Sequence, residues 1–150
     1  MTTGRLTPEP YRGSIRASMP PEDVIRRIGR PQAWWGTAYE GSAGQVGDIF
    51  TVRFQNGDRY TIRVAELDPS KTVVWEVVDS YQGWVADVSE WVGSRIIWTV
   101  EQDADGTFIE MTHLGLDPRL ECFERCQGGW NYLLRESLAA FLSTGKGRPA

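Results

Sequence analysis

The chain has 150 residues, enough for one domain with its own core, and its hydrophobic share of 41% is ordinary for a globular protein. With a formal net charge of -4 and no basic stripe, nucleic acids and anionic membrane surfaces are poor candidate partners. No apolar run approaches the roughly 18 residues of a membrane span, and the first eight residues lack the apolar stretch of a signal peptide. We therefore expect a cytoplasmic protein without a membrane span.

The first part of the chain predicts one strand and two short helices. Residues 10–18 alternate between small or apolar and polar side chains, which is a strand pattern. Pro20 and Pro21 end the strand, and the apolar residues that follow predict a helix ending near Gly29. Pro31 opens a second short helix that ends in a Trp-Trp-Gly sequence.

Residues 37–115 read as a series of strands, and one hairpin among them has a defined register. The sequence Gln-Asn-Gly-Asp at residues 55–58 is a turn signal between two alternating segments. A two-residue turn would place the two apolar sets on opposite faces. A three-residue loop with Gly57 at positive φ places Val52 opposite Tyr60 and aligns them, so we predict the three-residue loop. Residues 79–93 hold several large rings among glycines and acidic residues, and we interpret them as a long loop or irregular edge.

The last part of the chain predicts one long helix over residues 119–143, because apolar side chains recur there at helical spacing. The expected fold is α+β: a curved antiparallel sheet of about six or seven strands, two short helices, and the C-terminal helix packed over the concave face. We expect a single domain over residues 1–150, with flexible tails at residues 1–8 and 144–150.

The order of these elements, with particular residues in them, resembles the helix-grip superfamily (START-like, SRPBCC), which includes the steroidogenic-acute-regulatory-type lipid-transfer domains. Within it, the sequence is similar to the homologues of the heat-shock chaperone ATPase activator (AHSA-like). The matching segments are residues 19–24 (MPPEDV), 34–35 (WW), 46–50 (VGDIF), 66–69 (ELDP), 94–98 (SRIIW), 111–116 (MTHLGL) and Trp130. A bacterial subgroup is similar at residues 121–126 (ECFERC), 137–138 (SL) and 144–149 (TGKGRP). The resemblance covers nearly the whole chain and implies the helix-grip fold, but fold does not imply function.

His113, the only histidine, falls on the inward face of the last strand by strand parity. It could be a polar anchor that hydrogen-bonds a ligand, or a core histidine satisfied by a backbone partner, which we favour. Cys122 and Cys126 are one helical turn apart, a poor spacing for a disulfide, and we expect free thiols. These two cysteines and His113 lack the spacing of a zinc site, so we expect no metal.

The large rings are the main functional signal, since 7 Trp, 5 Tyr and 5 Phe are more than a small core easily packs. Aromatic walls with a few polar groups are typical of ligand pockets, although plain core packing is the alternative for any single ring. The predicted ligand-binding residues face each other from the sheet and the C-terminal helix. They are Trp35, Trp75, Trp98, Met111, His113, Cys126, Trp130 and Leu133.

Three functions remain open. The first is binding of an apolar or aromatic small molecule (lipid-, polyketide- or flavonoid-like) between the sheet and the C-terminal helix. The second, implied by the family name, is interaction with a chaperone or stress-response partner. The third is a cyclase- or hydratase-like enzyme, since some relatives in the superfamily have such activities. The sequence contains no nucleophile, metalloprotease or phosphate-loop motif, so we expect no cofactor and favour a protein that is not an enzyme.

Overall fold

The computed structural model describes residues 8–150 and contains seven strands and a C-terminal helical segment. The strands are β1 (Tyr11–Ala17), β2 (Ala38–Gly41), β3 (Ile49–Arg53), β4 (Arg59–Asp68), β5 (Thr72–Tyr81), β6 (Arg95–Asp103) and β7 (Gly106–Leu114). The helices are α1 (Pro21–Ile28), α2 (Pro31–Trp34), α3 (Phe123–Tyr132) and α4 (Ala139–Thr144), and a π-helical turn (Leu133–Leu138) joins α3 to α4. We call residues 123–144 the C-terminal helix. Within residues 8–150, no helix is both long and apolar enough to cross a membrane.

The seven strands form one antiparallel sheet in the order β1-β7-β6-β5-β4-β3-β2. The apolar side chains of each strand alternate onto its concave face, and the C-terminal helix covers that face with Trp130, Leu134 and Leu138. The α+β fold that we expected, with two short helices and one long C-terminal helix, is confirmed.

The hairpin between β3 and β4 has the predicted register. Val52 lies opposite Tyr60, and the backbone N–H of Phe54 donates to the carbonyl of Asp58 at 2.9 Å. Gly57 has a φ of 96°, which a residue with a Cβ rarely adopts. A three-residue loop is therefore correct, and it keeps the apolar sets of both strands on the concave face.

The C-terminal helix begins later than predicted, at Phe123 rather than at residue 119. The carboxylate of Asp117 accepts hydrogen bonds from the backbone N–H and the guanidinium of Arg119, at 2.7 to 2.9 Å. Leu120 and Phe123 then form i→i+3 turns. These local bonds compete with the helix, since a short acidic side chain that binds nearby backbone favours a turn.

We expected residues 144–150 to form a flexible tail, but Thr144 ends α4 and residues 145–150 pack against the C-terminal helix and α2. The backbone N–H of Arg148 donates to Ser137 Oγ at 2.8 Å, and Tyr132 Oη donates to the Arg148 carbonyl at 2.8 Å. The backbone N–H of Ala150 donates to the carbonyl of Trp35 at 3.0 Å. The other predicted tail, residues 1–8, lies almost wholly outside the described residues.

A solid aromatic core fills the space between the centre of the sheet and the C-terminal helix. The ring of Trp34, from α2, stacks on Trp75 with centroids 6.4 Å apart and meets Trp98 edge-on at 5.6 Å. All three rings are fully buried. We call Trp34, Trp75 and Trp98 the central tryptophan cluster.

Candidate ligand-binding site

A cavity of about 860 Å³ opens beside the central tryptophan cluster, between the β3–β4 hairpin, the loop after β5 and the first half of the C-terminal helix. Its volume is in the range of small-molecule sites, which run from about 300 to 1,000 Å³. The curved sheet and the helix diverge at this end, so their apolar surfaces do not close on each other.

Four stacked rings form the inner wall of the cavity. Trp35 stacks on Tyr60 with centroids 5.9 Å apart, and Tyr60 stacks in turn on Trp91 at 4.3 Å. Trp130, from the helix, lies parallel to Trp91 at 6.2 Å and tilted against Trp35 at 5.2 Å. The rings are between 2% and 7% exposed because they pack against one another, so they form a broad, rigid apolar floor for the cavity.

One side of the cavity is polar. The carboxylate of Asp58 accepts from Trp84 Nε1 at 3.0 and 3.2 Å, and Gln82 Nε2 donates to Tyr60 Oη at 2.8 Å. Burial raises the pKa of Tyr60, so its phenol stays protonated at neutral pH. Gln82 is 1% exposed, and its Oε1 has no hydrogen-bond partner in the structure. A buried acceptor without a partner is uncommon and costs free energy. This oxygen is inaccessible from the cavity as the side chain stands, so it would accept from a ligand O–H or N–H group after a rotation of the Gln82 side chain.

The mouth of the cavity is lined by the helix glycine Gly129 and by Arg125, whose guanidinium lies 4.2 Å from the centre of the Trp84 ring. A Cβ built on Gly129 would meet nothing within 4 Å, and the same holds for Gly128. Neither glycine is therefore explained by close backbone packing. At Gly129 the missing side chain leaves the mouth open, whereas Gly128 does not line the cavity.

Two thiols lie in the same wall. Cys126 lines the cavity and Cys122 lies behind it, both as free cysteines with their sulfurs 2.6 Å apart. Gln82 Nε2 donates to Cys126 Sγ at 3.3 Å, and Trp91 Nε1 donates to Cys122 Sγ at 3.4 Å. Within residues 8–150 no cluster of three or more potential metal ligands is found.

His113 is fully buried beside the cavity and does not line it. Trp130 Nε1 donates to its Nδ1 at 3.1 Å, and its Nε2 lies 2.8 Å from Ser94 Oγ. Because an indole N–H can only donate, Nδ1 must accept and Nε2 carries the proton. That proton goes to Ser94 Oγ, whose own hydrogen goes to the carbonyl of Trp91 at 2.6 Å. Burial lowers the pKa of His113 to about 3, so the ring is neutral at physiological pH.

The structure brings together only part of the predicted ligand-binding set. Trp35, Cys126, Trp130 and Leu133 line the cavity. The remaining four are buried in the core and do not line it; they are Trp75, Trp98, Met111 and His113. For these four the predicted position at the cavity is wrong, because Trp34 from α2 occupies the space in front of Trp75 and Trp98 and because Trp130 covers His113.

Other lining residues were missed from the sequence. They include Phe54, Asp58, Tyr60, Gln82, Trp84, Trp91, Arg125 and Gly129. Tyr60 shares the inward face of β4 with Ile62, so strand parity alone could have placed it. Trp84 and Trp91 lie in the irregular loop, and two tryptophans in a polar loop were the available signal, because Trp91 is only 3% exposed.

Comparisons with known proteins identify the family and agree with this fold. The family model described as "Activator of Hsp90 ATPase homolog 1-like protein" matches residues 19–143. The chain belongs to this family. A search of curated protein sequences found no match.

Solved structures related to this Hsp90-activator-like protein have the same fold. The Aha1 dimer from Colwellia psychrerythraea is 28% identical, with a TM-score of 0.71, and the match covers 95% of this chain and all (100%) of that one. SSP2350 from Staphylococcus saprophyticus is 18% identical, with a TM-score of 0.66 over 93% of this chain and 96% of its own. CalU16 from Micromonospora echinospora is 19% identical, with a TM-score of 0.60 over 92% of this chain and 74% of its own. The identities below 25% establish the fold alone.

Proposed function

We propose that this protein binds a flat, largely apolar aromatic molecule with a hydrogen-bond donor, such as a phenol, in the cavity beside the C-terminal helix. The observation that carries the proposal is the wall of four stacked rings next to the unpartnered Gln82 Oε1. The rings supply a rigid apolar floor, and the Gln82 amide, after rotation towards the cavity, supplies a polar contact that fixes orientation.

One comparison and one feature of the cavity support a small aromatic or polyketide-like ligand over a long-chain lipid. DynU16, a protein in the dynemicin biosynthetic locus, matches over 91% of this chain and 48% of its own, with a TM-score of 0.65 at 20% identity. The rigid apolar floor of four rings also favours a flat ligand, because a planar molecule covers such a floor with less loss of conformational freedom than a flexible chain.

The experiment is a chemical-shift titration that follows the indole N–H signals of all seven tryptophans. The probes are naringenin as a phenolic flavonoid, emodin as a polyketide-type anthraquinone, and lauric acid as a lipid. We expect saturable shifts of the cavity indoles, those of Trp35, Trp84, Trp91 and Trp130, with naringenin or emodin. The indoles of Trp75 and Trp98 serve as internal controls, and they should move little.

Two results would contradict the proposal. One is the absence of saturable shifts with every probe. The other is a set of shifts confined to surface residues far from the cavity, which would indicate non-specific association.

Interaction with a chaperone is the second candidate, and the match to the Hsp90-activator family is the observation that favours it. Among the described residues, several large apolar side chains are exposed and could contact a protein partner, namely Val46, Ile49, Val78, Tyr81, Val88, Val92, Leu114 and Tyr132. Two results would favour this function: an Hsp90-type chaperone shifts the NMR signals of these residues, and the ATPase rate of that chaperone rises when the protein is added. An unchanged ATPase rate would leave the cavity as the functional site.

An enzymatic role would need an acid or a base inside the cavity. The position of His113 in the core and its two hydrogen bonds argue against that role. Groups that line the cavity and can transfer a proton include Asp58 and Cys126. This third function would be supported if the wild-type protein turned over a cyclisable substrate and the Asp58→Asn variant did not.

A further inference from the structure

The two cysteines are brought together in a way that ligand binding alone does not require. Cys122 is the last residue before α3, and Cys126 lies in the first turn of that helix. Their sulfurs are 2.6 Å apart and unbridged. Residues four apart in a helix are separated by about 6 Å along the axis, which is within the range of Cα–Cα distances found in disulfides.

The two thiols differ in access and in charge. Cys126 lines the cavity, so a small solute that enters the cavity reaches its sulfur, whereas Cys122 is 1% exposed and lies behind it. Hydrogen bonds from the Cys122 thiol and from Gln82 lower the pKa of Cys126 and favour its thiolate. The same sulfur–sulfur hydrogen bond, together with burial, raises the pKa of Cys122 and keeps it a thiol.

We propose that Cys122 and Cys126 are a reversible dithiol–disulfide site, oxidised by a small hydroperoxide that enters through the cavity. In the first step the Cys126 thiolate attacks one peroxide oxygen and the O–O bond breaks. The alkoxide or hydroxide that leaves takes a proton, and Cys126 becomes a sulfenic acid. In the second step the Cys122 sulfur attacks the Cys126 sulfur, an S–S bond forms, and the S–O bond breaks. The hydroxide that leaves takes the Cys122 proton as water, so two electrons and two hydrogens pass from the thiols to the peroxide.

The position at the start of a helix makes this change compatible with the fold. Cys122 is the N-cap of α3, and its carbonyl accepts a helical hydrogen bond from the backbone N–H of Cys126 at 2.9 Å, so forming the disulfide has to distort this terminal turn. Only the first turn of α3 has to adjust, and helix ends fray at low cost. The site goes beyond ligand binding, because its oxidation needs only that the cavity admit a peroxide.

The experiment treats the full chain with a small excess of hydrogen peroxide, then alkylates it with N-ethylmaleimide in denaturant and measures the intact mass. We expect the wild-type protein to lose about 2 Da and to take up no maleimide, and dithiothreitol to restore both sites. Cys122→Ser should instead stop at a sulfenic acid on Cys126, which dimedone traps. Cys126→Ser should not be oxidised by the peroxide, because Cys122 lies behind the cavity wall, and its single thiol should then take up one maleimide in denaturant.

Three results would overturn the proposal. They are two thiols that remain alkylatable after peroxide, a disulfide found only between two chains, and oxygen added at Cys126 while Cys122 stays alkylatable. Peptide mapping of the wild-type protein distinguishes all of them, so the proposal stays testable even if a serine variant does not fold.

Discussion

The space between the sheet and the C-terminal helix has two ends that are built from the same residue types. At the closed end, Trp34, Trp75 and Trp98 pack on one another and are fully buried. At the open end, Trp35 and Trp91 stack with Tyr60 around a cavity of about 860 Å³. The difference comes from what covers the rings. A short helix, α2, supplies Trp34 to fill one end, while a glycine stands at the mouth of the other. Under the proposed function, aromatic residues therefore serve stability at one end and recognition at the other.

The largest expected effect is a difference in how much a Trp→Ala substitution destabilises the protein at each end. Trp98→Ala should lower the free energy of unfolding by about 3–5 kcal/mol, because it leaves a cavity in a solid core. Trp84→Ala, at the half-buried rim of the open end, should cost about 1 kcal/mol. Urea denaturation of both variants measures the difference. Equal losses would mean that the two ends are packed alike.

The second effect is a pH dependence of the buried histidine behind the open end, where His113 contacts Trp91 and Trp130. His113 has a pKa of about 3 in the folded protein, whereas an unfolded histidine titrates near 6.5. The unfolded chain therefore binds a proton that the folded chain does not, so stability is lost as the pH falls below about 6.5. Between pH 7 and pH 5 we expect a loss of about 2 kcal/mol.

His113→Gln is the control for this effect, because His113 is the only histidine in the chain. Its unfolding free energy should be nearly flat between pH 7 and pH 5. If NMR of the ring showed that His113 titrates near pH 6 in the folded wild-type protein, its buried position would admit charge and the prediction would be wrong.

The third effect concerns the β3–β4 hairpin, which forms part of the cavity rim. Gly57→Ala should destabilise the protein by about 1 kcal/mol, because a Cβ is unfavourable at positive φ even though nothing lies within 4 Å of it. Gly44→Ala is the matched control, since it also meets open space and its φ lies outside the left-handed region. Thermal unfolding of both variants measures the two losses of stability. Equal losses would contradict the turn assignment.

The smallest effect compares two neighbouring glycines of the C-terminal helix. Gly128→Ala and Gly129→Ala should each stabilise the protein by about 0.5–1 kcal/mol, because alanine favours the helix and both positions are open. Melting temperatures measure the gain. A loss at Gly129 would mean that the glycine is needed for folding and not only for the cavity mouth.

The sequence predicted the fold well because its signals are local. Alternation along β3 and β4, with the Asn-Gly turn between them, determines both the strands and their register. The position of the cavity is a different problem. Strand parity shows that Trp75 and Trp98 point inward, but it does not show that Trp34 arrives from α2 to cover them. Trp91 was missed for the same reason, since its burial depends on a loop folding back over Tyr60 and Cys122.

The most direct test of the central claim is isothermal titration of naringenin into three proteins: the wild type, Gly129→Leu and Gly128→Leu. The two variants add the same side chain one residue apart on an exposed stretch of helix, and only the side chain at 129 reaches the cavity. We expect one-to-one binding by the wild type, an affinity within about twofold of it for Gly128→Leu, and a loss of about tenfold or more for Gly129→Leu, equivalent to about 1.4 kcal/mol. Equal affinities for the two variants, or no binding by the wild type, would contradict the assignment of this cavity as the ligand site.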